Sequence, residues 1–199
     1  MDSAHSEGTA FRWIGGTKKH GDSSEVMKDN ILLQGYPGVG KTTVVKKIVA
    51  GVESAGGFYT EEIREGSTRR GFKIITLEGN QGILAYEGRP SPYRVGKYGV
   101  NIEVLESVGV ESISDSLEDM GKRLIIIDEI GKMELFSSRF QDVVMEALDS
   151  PKTLLATVPM KSNVFVKKLK LRQRFEVITV TADNRDSLPD QVLGMMEKA

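Results

Sequence analysis

The chain has 199 residues, 39% hydrophobic and 28% charged, with 27 Lys and Arg against 28 Asp and Glu. That length fits one domain with or without a tail, and the composition is that of a globular protein. A net charge of -1 gives no general attraction to nucleic acid, and the lack of cysteine excludes disulfides, thiol catalysis, zinc fingers and iron–sulfur clusters.

The two histidines, His5 and His20, lie near the N-terminus. Acid–base chemistry in the domain therefore falls to Asp, Glu, Lys or Tyr, and any metal to a hard cation held by oxygen. No apolar run approaches the ~20 residues that span a bilayer. A cysteine-free chain fits a reducing compartment, and an intracellular, cytoplasmic monomer with no membrane or nucleic-acid partner is expected.

Residues 1–30 mix five acids with four Lys and Arg, and carry no apolar signal segment. Residues 1–29 are expected to be a disordered tail whose one apolar cluster is Phe11, Trp13 and Ile14. Residues 30–199 are expected to form the domain. Ile31-Leu32-Leu33-Gln34 stops at Gly35 and reads as a buried strand. Val44, Val45, Ile48, Val49 and Val52 predict a helix from Thr42 to Ser54, stopped by Gly56-Gly57. Phe58–Arg64, Gly71–Leu77 and Gly82–Tyr86 read as antiparallel strands joined by turns at Glu65-Gly66-Ser67 and Glu78-Gly79-Asn80.

Arg89-Pro90-Ser91-Pro92 is a loop, and part of 101–118 is helical. Leu124–Ile127 is an unbroken apolar run, as in a parallel strand buried on both faces. Phe136, Phe140, Val143, Val144 and Leu148 make an amphipathic helix ending near Ser150-Pro151. A strand at Thr153–Val158, a helix at Asn163–Leu171 and a strand at Phe175–Val180 follow, then a helix capped by Asp183 and running through Met196. Alternating strands and helices predict an α/β fold: a mostly parallel sheet flanked by helices, with a small antiparallel insertion.

Residues Gly35-Tyr36-Pro37-Gly38-Val39-Gly40-Lys41-Thr42 match the phosphate-loop pattern G-x-x-x-x-G-K-[ST] completely. The glycines permit torsions that a Cβ blocks. The backbone N–H groups of Val39, Gly40 and Lys41 can then face a β-phosphate at the positive end of the following helix. Lys41 reaches β- and γ-oxygens, the Thr42 hydroxyl suits Mg²⁺, and Thr43 lies toward the α-phosphate. A strand before the motif and a helix after it supply the context that it requires.

Leu124-Ile125-Ile126-Ile127-Asp128-Glu129 has the form of a Walker B strand. Asp128 would share the metal with Thr42, and Glu129 could orient the attacking water. Thr157 ends the next strand, either as a contact to the γ-phosphate or water or as an ordinary strand residue. Candidates for further positive charge are Lys132, Arg64, Arg69, Arg70, Arg172 and Arg174, each equally open to a solvated surface role. The G-x-G-x-x-G dinucleotide pattern fails at Thr43, and no Asn/Thr-Lys-x-Asp base-reading motif of Ras-like GTPases occurs in the domain.

These residues resemble the small nucleoside-triphosphatase family that includes the thermophile nucleoside triphosphate phosphatases and the human cancer-related nucleoside-triphosphatase. The likeness rests on 35–43, on Gly-Phe-Tyr-Thr-Glu-Glu-Ile-Arg at 57–64, and on Gly-Phe-Lys-Ile-Ile-Thr-Leu at 71–77. Ile-Asp-Glu-Ile-Gly-Lys-Met-Glu-Leu-Phe-Ser at 127–137 and Asn184-Arg185-Asp186 also carry it. It covers roughly residues 30–197. The resemblance implies a P-loop NTPase with a RecA-like sheet, and Mg²⁺-dependent hydrolysis of nucleoside triphosphates with loose base selectivity. It also implies a nucleotide site formed by Gly35–Thr42 and by Leu124, Ile125, Ile126, Ile127, Asp128, Glu129, Ile130 and Gly131. In the 57–64 segment, Glu62 or Arg64 facing the γ-phosphate stands against a plain strand pair. Two other functions fit the same motifs: a small nucleotide or nucleic-acid kinase, and a nucleotide-binding switch without turnover.

Overall fold

In the computed structural model, apolar side chains alternate across the first strand. Ile31 and Leu33 pack on one face and Leu32 on the other. Leu124 and Ile126 against Ile125 and Ile127 repeat that division, as expected for strands covered on both sides. The structure describes residues 30–172 and 175–197. The tail expected at 1–29, with Phe11, Trp13 and Ile14, lies outside the described residues, as does Arg174.

The strands are β1 (Asn30–Gly35), β2 (Ala55–Glu65), β3 (Thr68–Thr76), β4 (Gln81–Glu87), β5 (Arg94–Val95), β6 (Tyr98–Val100), β7 (Leu124–Asp128), β8 (Thr153–Pro159) and β9 (Phe175–Thr179). Helix α1 (Lys41–Val49) follows β1, and α2 (Ile102–Val104) runs through a π-helical stretch, Leu105–Val110, into α3 (Glu111–Glu118). Then come α4 (Ser138–Asp149), α5 (Val164–Leu171) and α6 (Leu188–Glu197). The sheet order is β5-β6-β4-β3-β2-β7-β8-β1-β9. Residues of α1 and α6 cover one face, and those of the π-helical stretch, α3, α4 and α5 cover the other.

The sheet is mixed. β2, β7, β8, β1 and β9 run parallel. β2, β3, β4, β6 and β5 pair antiparallel. The antiparallel part is thus a whole wing of the sheet and not the small insertion that the sequence predicts. Strands β5 and β6 escaped the pattern because two and three residues are too few to show a period of two.

Two boundaries also differ from expectation. Helix α1 ends at Val49, and the N–H groups of Gly51 and Val52 turn back to the carbonyls of Ile48 and Val49. Gly56 and Gly57 do not stop a helix but lie inside β2, paired with Ile125 and Ile126. A Cβ on Gly56 would stand 2.1 Å from Ser116 Oγ, and one on Gly57, at φ +98°, 2.2 Å from the Ile126 carbonyl oxygen. The glycines allow the backbone to approach its neighbours closely. Asp183 caps no helix. Asn184 organises a turn, and α6 starts at Leu188.

Candidate active site

The carboxyl ends of β1, β8 and β7 lie side by side, where parallel sheets commonly bind ligands. Between β1 and α1, Gly38 and Gly40 take φ values of +77° and +112°, which other residues rarely adopt. Gly40 precedes α1 with no capping side chain, and the first turn holds no acidic residue. Its N–H groups are therefore left for a ligand anion. Tyr36 turns outward, 62% exposed, while Lys41 is buried. Lys41 Nζ donates to the Gly35 carbonyl at 3.2 Å and the Tyr36 carbonyl at 3.5 Å, and lies 3.4 Å from Glu129 Oε2.

Asp128, the last residue of β7, is buried. The Thr157 hydroxyl donates to its Oδ1, whereas Oδ2 is buried without a hydrogen-bond partner among the described residues. Burial pushes the Asp128 carboxyl upward in pKa, opposed by the Thr157 and Thr42 hydroxyls, the Lys41 charge and the Thr60 backbone. A buried carboxylate oxygen with no donor, beside a threonine hydroxyl, fits a cation position. Among the described residues no three His, Asp or Glu cluster to hold a metal by themselves. A magnesium ion needs no such cage, since phosphate and water complete its shell.

Glu129 is about a third exposed. Burial raises its pKa, Lys41 opposes this, and the Asp128 charge adds to it. A carboxylate so tuned, in reach of solvent, can accept a proton from water. Leu124, Ile125, Ile126, Ile127 and Ile130 are buried in the cores, so their part in a nucleotide site is to carry Asp128 and Glu129. Gly131 is tightly enclosed: a Cβ there would meet Glu129 Oε1 and Glu134 Oε2, each at 2.8 Å.

Thr157 is fully buried and its hydroxyl is engaged by Asp128. Four of the candidate arginines are engaged elsewhere. Arg64 and Arg69 pair with Glu62, Arg70 with Glu65 and Glu87, and Arg172 with Asp149. Glu62 is therefore spent on its own strand pair as well. Lys132 lines a groove of about 630 Å³ with Arg94, Phe136 and Lys168. From the 57–64 segment, it is the Thr60 backbone that meets Asp128.

Two residues near the site lie in segments that carry the resemblance but have no role assigned from sequence. Glu134, 4% exposed, accepts the Gly131 N–H at 3.0 Å. Burial, and then the neighbouring Glu129 and Asp128 charges, push its carboxyl up to about 8, so it is mostly neutral at pH 7. Its signal lay in the Met133-Glu134-Leu135 stretch, where an acid sits between apolar residues. Arg185 reaches across from the turn after β9, its Nη1 at 3.4 Å from the Val39 carbonyl oxygen.

The family model described as NTPase matches residues 30–193. The nucleoside-triphosphatase THEP1 of Thermotoga maritima is 50% identical over 167 residues, 84% of this chain and 95% of that protein. The cancer-related nucleoside-triphosphatase homolog of Mus musculus is 37% identical over 188 residues, 87% of this chain and 99% of that one. The crystal structure of THEP1 from Aquifex aeolicus superposes with a TM-score of 0.77 at 39% identity, covering 84% of this chain and 99% of that chain. The solution structure of a human cancer-related nucleoside triphosphatase gives 0.73 at 35% identity, covering 85% and 98%. The family match takes in every strand from β1 to β9, with the 35–42 loop and the 124–131 segment both inside it, and this chain belongs to the NTPase family.

Proposed function

We propose that the protein is a P-loop enzyme of RecA-like arrangement that hydrolyses nucleoside triphosphates, ATP and GTP among them, to nucleoside diphosphate and phosphate with Mg²⁺. The observation that carries this is the Lys41–Glu129 contact at 3.4 Å, which sets a phosphate-binding cation beside a partly exposed carboxylate. Lys41 and the N–H groups of the 35–42 loop hold the β- and γ-phosphates, and Thr42 with Asp128 would hold the metal. The chemistry supplied there by Mg²⁺, when bound, would be neutralisation of phosphate charge. Glu129 takes the proton as water attacks the γ-phosphorus and the bond to the β–γ bridging oxygen breaks. Lys41 meets the charge left on the diphosphate. The relatives' names as nucleoside-triphosphatases support the same activity.

The test is phosphate release from ATP, GTP, CTP and UTP with Mg²⁺, in the wild type and in Glu129→Gln. Turnover on several nucleotides, lost in the variant while binding persists, is the expected result. Tight binding with no release from either protein would overturn it and point to a switch. An acceptor phosphorylated faster than water would point to a kinase.

A further inference from the structure

The Asn184-Arg185-Asp186 turn has no part in the chemistry proposed above, yet it lies against the phosphate-binding loop. β9 neighbours β1 on the side opposite β8 and β7. A triphosphate laid along the loop with its γ end at Glu129 therefore runs its other end toward β9. Thr43, on the first turn of α1, faces that direction with its side chain exposed. At this end the structure has a cavity of about 220 Å³, lined by Gly40, Thr43, Arg185 and Asp186. It is too small for a whole nucleoside triphosphate, and its place suits the sugar and base that follow the α-phosphate.

The turn is braced. Asn184 Oδ1 accepts the Thr181 N–H at 2.8 Å, and its Nδ2 donates to the Thr179 carbonyl at 2.8 Å. The Asn184 N–H in turn donates to Thr181 Oγ1 at 3.3 Å. Asn184 is thus spent on the backbone and holds Arg185 in place. The Arg185 Cδ stands 3.3 Å from where a Cβ on Gly40 would be, so Gly40 leaves room for this side chain as well as for the loop's torsion. Arg185 is exposed, donates from Nη1 to the Val39 carbonyl, and lines the cavity. Asp186 makes an exposed ion pair with Lys47 at 3.4 Å. One guanidinium and one carboxylate line the pocket, which fits a neutral, hydroxyl-bearing group better than another phosphate.

We infer that Arg185 forms the nucleoside wall of the site, stacking its guanidinium on the base of any nucleotide, with Asp186 available to the ribose hydroxyls. This rests on the nucleoside-triphosphate function proposed above. A guanidinium stacks on every base because every base has a π-face. The lining residues include no Asn or Gln amide to read a base edge. Loose base selectivity follows from that chemistry.

The test is calorimetric binding of ADP, GDP, CDP, UDP and inorganic pyrophosphate with Mg²⁺ to the full chain, as wild type, Arg185→Ala and Arg185→Lys. Binding is read apart from turnover, so the test does not need the protein to hydrolyse anything. The wild type is expected to bind all four diphosphates within a few-fold of one another and more tightly than pyrophosphate. Arg185→Ala is expected to weaken all four by roughly tenfold or more and to leave pyrophosphate unchanged. Lysine, which has charge but no plane, is expected to behave like alanine. Unchanged nucleotide binding in Arg185→Ala would overturn the assignment alone, as would equal weakening of pyrophosphate or full rescue by lysine. Failure of the wild type to bind either diphosphates or pyrophosphate would overturn the nucleotide site itself.

Discussion

Lys41 and Glu129 face each other across two strand spacings, Nζ to Oε2 at 3.4 Å, although 88 positions separate them in the chain. β8 lies between their strands, so the pair spans the end of β8 and links the loop after β1 to the end of β7. Lys41 also holds the Gly35 and Tyr36 carbonyls, which fixes its ammonium at the mouth of the loop. Replacing Glu129 with glutamine keeps the shape and removes the proton acceptor. Turnover is expected to fall ~10²–10⁴-fold while nucleotide affinity stays within a few-fold. Single-turnover phosphate release beside equilibrium binding separates the two.

Thr157→Val is expected to act on Asp128. It removes the donor to Oδ1 of a carboxylate whose other oxygen already has no partner. Leaving a buried acceptor unsatisfied costs about 1–3 kcal/mol, read as a lower denaturation midpoint at unchanged slope. With Asp128 less well held, the Mg²⁺ concentration for half-maximal activity is expected to rise. Thr157→Ser, which restores the hydroxyl, is expected to recover both.

Glu134 gives the protein a pH dependence of its own. A carboxyl at about 8 in the fold and 4.5 when unfolded keeps its proton in the native state after the unfolded chain has lost it. The native state then binds more protons, so stability falls as pH rises from about 4.5 to about 8. Burial raises Glu129 and Asp128 in the same direction, so the readout is a difference. Glu134→Gln stays neutral and can still accept the Gly131 N–H. Its melting temperature relative to wild type is expected to climb across that window and to be level below it.

Gly57 and Gly79 both sit at positive φ, +98° and +94°, and differ in their surroundings. A Cβ at Gly79 meets nothing within 4 Å, whereas one at Gly57 runs into the Ile126 backbone. Gly79→Ala is expected to cost about 1–2 kcal/mol, the conformational penalty alone. Gly57→Ala is expected to cost on the order of 3 kcal/mol or more, because a strand must move from β7. Urea denaturation of the two variants measures the gap.

The parts of the site legible in the sequence are those in which one short segment carries the whole pattern. Gly35–Thr42 specifies its own turn, and Leu124–Ile127 followed by Asp128 shows a strand buried on both faces and ending in an acid. Helices α4 and α5 were visible because their apolar residues repeat at helical spacing. The short strands β5 and β6 had no such repeat, and Gly56-Gly57 resembles a helix stop until the close approach of Ser116 and Ile126 is seen.

Which distant groups meet is settled by the packing of the strands and helices. Thr157 reaches Asp128 because the sheet places β8 next to β7. Ion pairing engages Arg64, Arg69, Arg70 and Arg172 with Glu62, Glu87 and Asp149, partners that no local pattern announces. Arg185, 146 positions from Val39, is brought beside the loop by β9 pairing with β1. Glu134 stands between apolar neighbours in sequence, but it is burial in the fold, and then the Glu129 charge, that raises its carboxyl. Segments whose chemistry and conformation are local are legible from their residues alone. Strand order and burial decided the rest, because charge pairing and desolvation depend on distances in space and not on positions along the chain.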